Sequence, residues 1–128
     1  MKTLALIDVA CQDGSCGEEW RVRLKKDLET VILEQGINRI LCALELEAGL
    51  TAAEIVLELR ERYPITLECV IPYEEYTTDW PEIHRDRYFR IVEHCDRENM
   101  LQKQFTGDCM VKKNEYLKTK ADVLFYLK

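Results

Sequence analysis

The 128-residue chain predicts a three-layer α/β sandwich around a mostly parallel five-stranded sheet. Three observations carry this. Short apolar runs alternate along the chain with longer segments of helical period. The stretch 51–95 reads as helix, tight turn, buried strand, polar loop and helix, the repeating unit of an open α/β sheet. Hydrophobic residues make up 47% of the chain, enough for a real core, and the length fits a single domain over 1–128.

Residues 3–10 (TLALIDVA) are the first apolar run and read as strand one. In 18–35, Trp20, Leu24, Leu28, Val31 and Ile32 recur at helical spacing, and Gly36 ends the helix. Residues 37–44 (INRILCAL) are strand two. Thr51 and Glu54 stand in capping-box spacing, so helix two is expected to open there. It stops before Pro64, because proline cannot continue the hydrogen-bond ladder. Residues 65–71 (ITLECVI) are strand three, closed by Pro72. Trp80–Pro81 starts helix three, with Ile83, Tyr88, Ile91 and Val92 as its apolar face. A weak fourth strand falls within 98–105, around Met100 and Leu101. Helix four runs from about Cys109 to Lys120, with Met110, Val111 and Leu117 inward, and DVLFYL is strand five.

Strands alternating with helices imply parallel strands joined by right-handed crossovers. The expected order is 3-2-1-4-5, with strand one central and Leu4 and Leu6 buried. A ligand crevice then lies at the carboxyl ends of strands one and four, where the order reverses. Its loops would be Val9–Gly17, Leu44–Gly49, Pro72–Trp80 and Gln104–Asp108. Strand five is expected at an edge, with Leu124 and Tyr126 on one face and Val123, Phe125 and Leu127 on the other. No helix follows it, so a homodimer covering that edge or the neighbouring helix-four face is expected.

The net charge of −6 argues against nonspecific nucleic-acid binding and against an anionic membrane surface. No apolar run approaches the length of a membrane span. The start, MKTLALIDVACQDGSC, has a short apolar stretch interrupted by Asp8 and reads as a first strand rather than a leader, which places the chain in the cytoplasm. The six cysteines (Cys11, Cys16, Cys42, Cys69, Cys95 and Cys109) are widely spaced, without a CxxC pair, so inert or merely oxidisable thiols outweigh a metal site or a disulfide framework. No cofactor is expected.

The pattern AAEIVLELRERYP-ITLECVIPYEE, then Trp80, RDRYFRIVEHCD, TGDCMVKKNEYL and ADVLFYL resembles the YpsA-type branch of the SLOG superfamily over residues 37–127. That Rossmann-like group of nucleotide or nucleotide-ligand binders includes the LOG phosphoribohydrolases and the DprA DNA-binding proteins. The resemblance implies a Rossmann-like fold and agrees with the strand–helix reading. The departures bear on function. The branch's Thr-Gly-His-Arg-Pro-like turn after strand one corresponds here to Ile7, Asp8, Val9, Ala10 and Cys11. Its Ser-Gly turn and small-residue stretch after strand two correspond to Cys42, Ala43, Glu47 and Gly49. A PGG…GT motif and the branch's downstream glycine-rich segment have no counterpart before Lys128. Each element that would bring backbone amides to a phosphate is changed or missing. Lys113 and Asn114 stand where the branch has an Arg-Asn pair.

Glu45 and Glu47 place acid where a phosphate would want amides. At about 6 Å and an effective dielectric of about 20, each would repel a phosphate charge by about 2.8 kcal/mol before screening. A helix terminus contributes only about 0.3–1 kcal/mol. Phosphate-rich nucleotides are therefore expected to bind poorly. In the third loop Tyr73, Tyr76 and Trp80 are candidates to stack a base or ribose, and Arg87 to meet a carboxylate or phosphate; each also fits a packing role. Cys11, Gln12, Asp13 and Asn114 complete the candidate ligand set. No catalytic constellation is evident: His84 and His94 lack a serine partner, and Glu74 with Asp79 are ordinary loop acids. The sequence reading is a noncatalytic binder of a nucleotide-derived small ligand. A protein-interaction or decoy module on the same fold is the alternative, and a nucleoside or nucleotide hydrolase comes third.

Overall fold

A computed structural model describes residues 1–8 and 17–127. Its elements are β1 (Thr3–Asp8), α1 (Glu18–Gln35), β2 (Arg39–Cys42), α2 (Ala48–Arg60), β3 (Thr66–Ile71), α3 (Glu82–His94), β4 (Arg97–Met100), α4 (Cys109–Lys120) and β5 (Val123–Leu127). All neighbouring strands pair in parallel, in the order β4-β3-β2-β1-β5. The α/β, Rossmann-like class is as expected. So are the β3-β2-β1 run, the interior position of β1 and the edge position of β5. Leu4 and Leu6 are buried.

The place of β4 differs from the expected order. It pairs with β3 at the far edge, and β5 takes the position beside β1. The reason is compositional. β4 reads RENM and is largely exposed, whereas an interior strand of a parallel sheet must be apolar on both faces. VLFYL, more apolar, forms the other edge and pairs with β1 along all of its length, from Leu4 against Val123 to Asp8 against Leu127.

Handedness then distributes the helices. From β1 to β4 the chain steps in one direction across the sheet, so right-handed crossovers put α1, α2 and α3 on one face. The return from β4 to β5 runs the other way, and α4 crosses the opposite face, against β1. Strand alternation feeds two cores. Leu4, Leu6, Ile40, Cys42, Leu67, Cys69 and Ile71 meet Leu24, Leu28, Ile55, Leu59 and Ile91 on the three-helix side. Ala5, Ile7, Leu41, Ala43 and Val70 meet Leu117 on the α4 side. Glu68, also buried on β3, is matched by Arg39 at 2.6 Å and by the Tyr116 hydroxyl at 3.1 Å.

Element ends follow local chemistry. α1 stops at Gly36, whose φ of 66° is a left-handed conformation that glycine adopts without Cβ strain. α2 opens at Ala48, not at the expected Thr51. Thr51 is buried inside the helix, where its hydroxyl accepts from Arg87 Nη2 at 3.1 Å instead of capping. On α3, Tyr88 and Ile91 are buried but Ile83 is 69% exposed. On α4 the inward residues are Cys109, Lys113 and Leu117, while Met110 and Val111 face outward. A lysine therefore occupies the middle of the buried stripe. No helix among the described residues is long and apolar enough to cross a membrane.

Candidate functional site

Because every strand is parallel, the loops after β1, β2, β3 and β4 gather at one end of the sheet. The β1 loop, with the candidates Cys11, Gln12 and Asp13, lies outside the described residues. Chain direction reverses between β1 and β5, so the switch point sits at the carboxyl ends of those two strands rather than of β1 and β4.

The β2–α2 connection is built around two backbone features. Leu44 has a φ of 57°, a left-handed conformation that costs a side-chain-bearing residue about 1–2 kcal/mol. Its side chain is fully buried, and that packing holds it there. Gly49, in the first turn of α2, lies directly against it. A Cβ at Gly49 would come within 3.1 Å of the Leu44 carbonyl carbon, 3.2 Å of its Cα and 3.4 Å of an Asp8 carboxylate oxygen. Glycine lets the helix start close over the ends of β1 and β2. The Cys42 thiol donates to the Gly49 carbonyl at 3.4 Å, and burial first, then the Asp8 and Glu45 charges, push that thiol up to about 12. Cys42 is thus a packed, inert thiol.

Neither acid of this loop stands bare. Glu45 accepts a hydrogen bond and ion pair from Lys113, which is 2% exposed and reaches it from α4. Glu47 lies 3.5 Å from Arg87. Arg87 is also held by both oxygens of Glu54, at 2.7 and 3.2 Å, and by Thr51. These bonds to Glu54, against the opposing effect of partial burial, raise its already high pKa. The repulsion expected from two unpaired carboxylates is therefore offset by two fixed cations. Those cations are in turn engaged by protein acids, and Arg87 acts as a clamp between α2 and α3. Asn114 is half-buried beside Lys113 on α4.

The β3–α3 loop supplies an aromatic row. Tyr73 meets Tyr76 edge-on at 5.7 Å, Tyr76 meets Trp80 at 5.2 Å, and Trp80 meets Tyr88 at 5.7 Å. Tyr76, Trp80 and Tyr88 pack on the three-helix core, so this part of the row fixes the loop. Burial first, then the Glu45 and Asp8 charges, hold the Tyr76 hydroxyl protonated. Tyr73 lies at the outer end and also meets Phe105 at 5.2 Å. Phe105 belongs to the β4–α4 loop and was not among the residues that the sequence singled out. Together Tyr73, Glu74, Glu75, Lys103, Gln104 and Phe105 line a cavity of about 320 Å³.

That cavity has an ordered frame. The Glu74 amide donates to the Lys103 carbonyl at 3.2 Å, tying the two loops together. Gln102 donates to the Gln104 carbonyl and the Thr106 hydroxyl at 2.7 and 2.8 Å, and Thr106 donates to Asp108 at 2.7 Å. Among the described residues, no group of His, Cys, Asp and Glu is placed to hold a metal ion.

A five-stranded parallel α/β sheet, with helices on both faces and its carboxyl-end loops at one end, defines a Rossmann-like protein. The family model for YpsA, described as the YspA SLOG family, matches residues 20–127. The chain belongs to the YpsA SLOG family. It is 34% identical over 110 residues to the UPF0398 protein BH1768 of Halalkalibacterium halodurans, covering 81% of this chain and 58% of that one. It is 29% identical over 119 residues to a UPF0398 protein of Bacillus pumilus, covering 91% and 63%. To the UPF0398 protein YpsA of Bacillus subtilis it is 28% identical over 98 residues, covering 74% and 54%. The chain thus spans less than two thirds of the length of these relatives.

Proposed function

We propose that this chain is a noncatalytic cytoplasmic binder of a nucleotide-derived ligand of low charge, a nucleobase or nucleoside rather than a triphosphate. The cavity walled by Tyr73 and Phe105 carries the reading. Its volume of about 320 Å³ suits one base or nucleoside, near the lower bound of the roughly 300–1,000 Å³ found for small-molecule sites. The edge-to-face pair of Tyr73 and Phe105 offers an aromatic surface for stacking. Glu74, Glu75 and Gln104 offer acceptors for ring amines and ribose hydroxyls, with Lys103 as a single cation. The neighbouring cations Lys113 and Arg87 are already engaged by protein acids, and the space over Gly49 is taken by Leu44 and Asp8, which leaves little there for a phosphate to bind.

Isothermal titration against nucleosides and their mono- and triphosphates tests this. A nucleoside is expected to bind more tightly than its triphosphate. Tyr73→Ala is expected to weaken that binding about tenfold, since base stacking contributes about 1–3 kcal/mol. Micromolar triphosphate binding with no nucleoside binding would overturn the reading.

A second reading, a protein-interaction module, is favoured by the edge strand β5. Leu124 and Tyr126 are 37% and 45% exposed on its α4 side, and among the described residues no strand pairs with its outer edge. If this edge joins two copies of the chain, light scattering at high micromolar concentration gives a dimer, and Tyr126→Lys returns it to monomer. A monomeric wild type excludes self-pairing.

A further inference from the structure

The two edges of the sheet are unlike. β4 at one edge reads RENM, and its charges deter a further strand. β5 at the other reads VLFYL, with no charge or proline to do so. Leu124 and Tyr126 are exposed on its α4 side, while Phe125, its middle residue, packs on the three-helix side.

α1 overhangs this edge. One stripe of the helix, Trp20, Arg23, Leu24 and Asp27, lines a cleft of about 260 Å³ together with Phe125 and Tyr126. Leu24 is buried, whereas Arg23 and Asp27 are exposed. These two charges stand four residues apart, about one turn along the same face. Neither forms an ion pair among the described residues, although Arg21 and Lys25 of the same helix are both engaged by Glu58. The stripe beside the open edge therefore presents a cation and an anion to whatever docks there.

A second copy of the chain fits that surface. A two-fold axis perpendicular to the sheet and beside Phe125 sets two β5 strands antiparallel. Phe125 then faces Phe125 of the second copy, Leu124 faces its Tyr126, and Val123 its Leu127. The exposed apolar pair on the α4 side is covered by itself, as cross-strand neighbours. The same axis runs α1 antiparallel to its copy. Phe125 lies level with the Trp20–Asp27 stripe, so Arg23 of each helix comes opposite Asp27 of the other. A stripe of one sign would repel itself under this axis; this one is its own complement.

We propose that the chain forms a two-fold dimer through antiparallel β5 pairing, recognised by reciprocal Arg23–Asp27 contacts between the two α1 helices. This rests on the second reading above, that the β5 edge joins two copies, and adds its symmetry, register and recognition charges. The two five-stranded sheets become one. Because the strands of the two halves run in opposite directions, their crevices open at opposite ends and both stay accessible.

Sedimentation of charge-reversed variants tests the arrangement. Arg23→Asp alone and Asp27→Arg alone are each expected to weaken the dimer about tenfold, since two attractive contacts turn repulsive at exposed positions that the fold does not use. Mixing the two variants is expected to restore association as a heterodimer, and the double reversal to restore the homodimer. Register has its own readout. Facing residues of antiparallel strands have Cα atoms about 4.5–5.5 Å apart, within disulfide reach. Oxidised Phe125→Cys is therefore expected to give the tryptic peptide 121–128, which holds no native cysteine, joined to itself. A wild type that stays monomeric at high micromolar concentration overturns the edge reading, and this proposal with it. A wild-type dimer that neither reversal weakens, or that the mixed variants fail to restore, overturns this arrangement alone. An unlinked peptide 121–128 from a dimeric Phe125→Cys does the same.

Discussion

Lys113→Met is expected to destabilise the protein by about 2–3 kcal/mol and to lower its Tm by on the order of 10 °C. The side chain keeps its length and apolar stem, so packing under α4 survives. What is lost is the only cation paired with Glu45 among the described residues. Breaking a buried pair from one side costs about 3–5 kcal/mol, because the remaining charge is stranded. The Glu45 side chain retains 20% exposure, so water relieves part of that cost. The double variant Lys113→Met, Glu45→Gln should recover most of the loss, since removing both charges is close to neutral. Urea unfolding of the four proteins of this cycle is the measurement. Equal losses in the single and the double variant would mean that Lys113 acts by packing alone.

The same lysine shows where sequence reading stops. Period and breakers placed α1 and α4 closely, because Gly36 and the apolar run of β5 mark clear ends. On α4 polarity points the wrong way: Met110 and Val111 are apolar yet face outward, and Lys113 is charged yet buried. A lysine can turn inward when its charge finds an acid, and that acid sits 68 residues away in the chain. Pattern within a helix cannot show such a partner. Thr51 and Glu54 are a similar case: their spacing imitates a capping box, yet both side chains are taken by Arg87 of another helix. The strand order, by contrast, had a readable clue. RENM is too polar for a strand covered on both faces, and weighing that would have sent β4 to the edge.

The candidate site was legible as a set of loops more than as a set of side chains. Parallel strands oblige their carboxyl-end loops to converge, so Glu45, Glu47, Tyr73, Tyr76 and Trp80 do share one end of the sheet. Which of them face a ligand depends on pairings across elements. Trp80 and Tyr76 are drawn into the core, Arg87 is claimed by α2, and Tyr73 gains a second wall from Phe105. Phe105 carried a faint signal, an aromatic in an otherwise polar loop entering α4, which only the loop–loop hydrogen bond turns into a cavity wall.

Leu117→Ala is expected to be the costliest single apolar truncation within α4, at about 3 kcal/mol. The three-helix face of the sheet has many large apolar residues that share its burial. The opposite face is a smaller cluster of Ala5, Ile7, Leu41, Ala43 and Val70, and Leu117 is the one large apolar side chain that α4 buries against it. Removing it leaves a cavity that strand residues cannot collapse to fill, because their backbones are fixed by pairing on both sides. The loss should also be local in character. α4 is held chiefly through Leu117, Lys113 and Cys109, so its opening free energy should fall further than that of α1 or α2. Native-state hydrogen exchange is the test: α4 amides in Leu117→Ala should exchange through a low-energy opening while those of β2 and α2 follow global unfolding. With α4 loosened, Lys113 leaves Glu45 more often, and the acid at the crevice regains the repulsion toward phosphate that the pair suppresses. Uniform acceleration of every amide would instead mean that α4 and the sheet unfold as a single unit, and that the crevice is no more labile than the core beneath it.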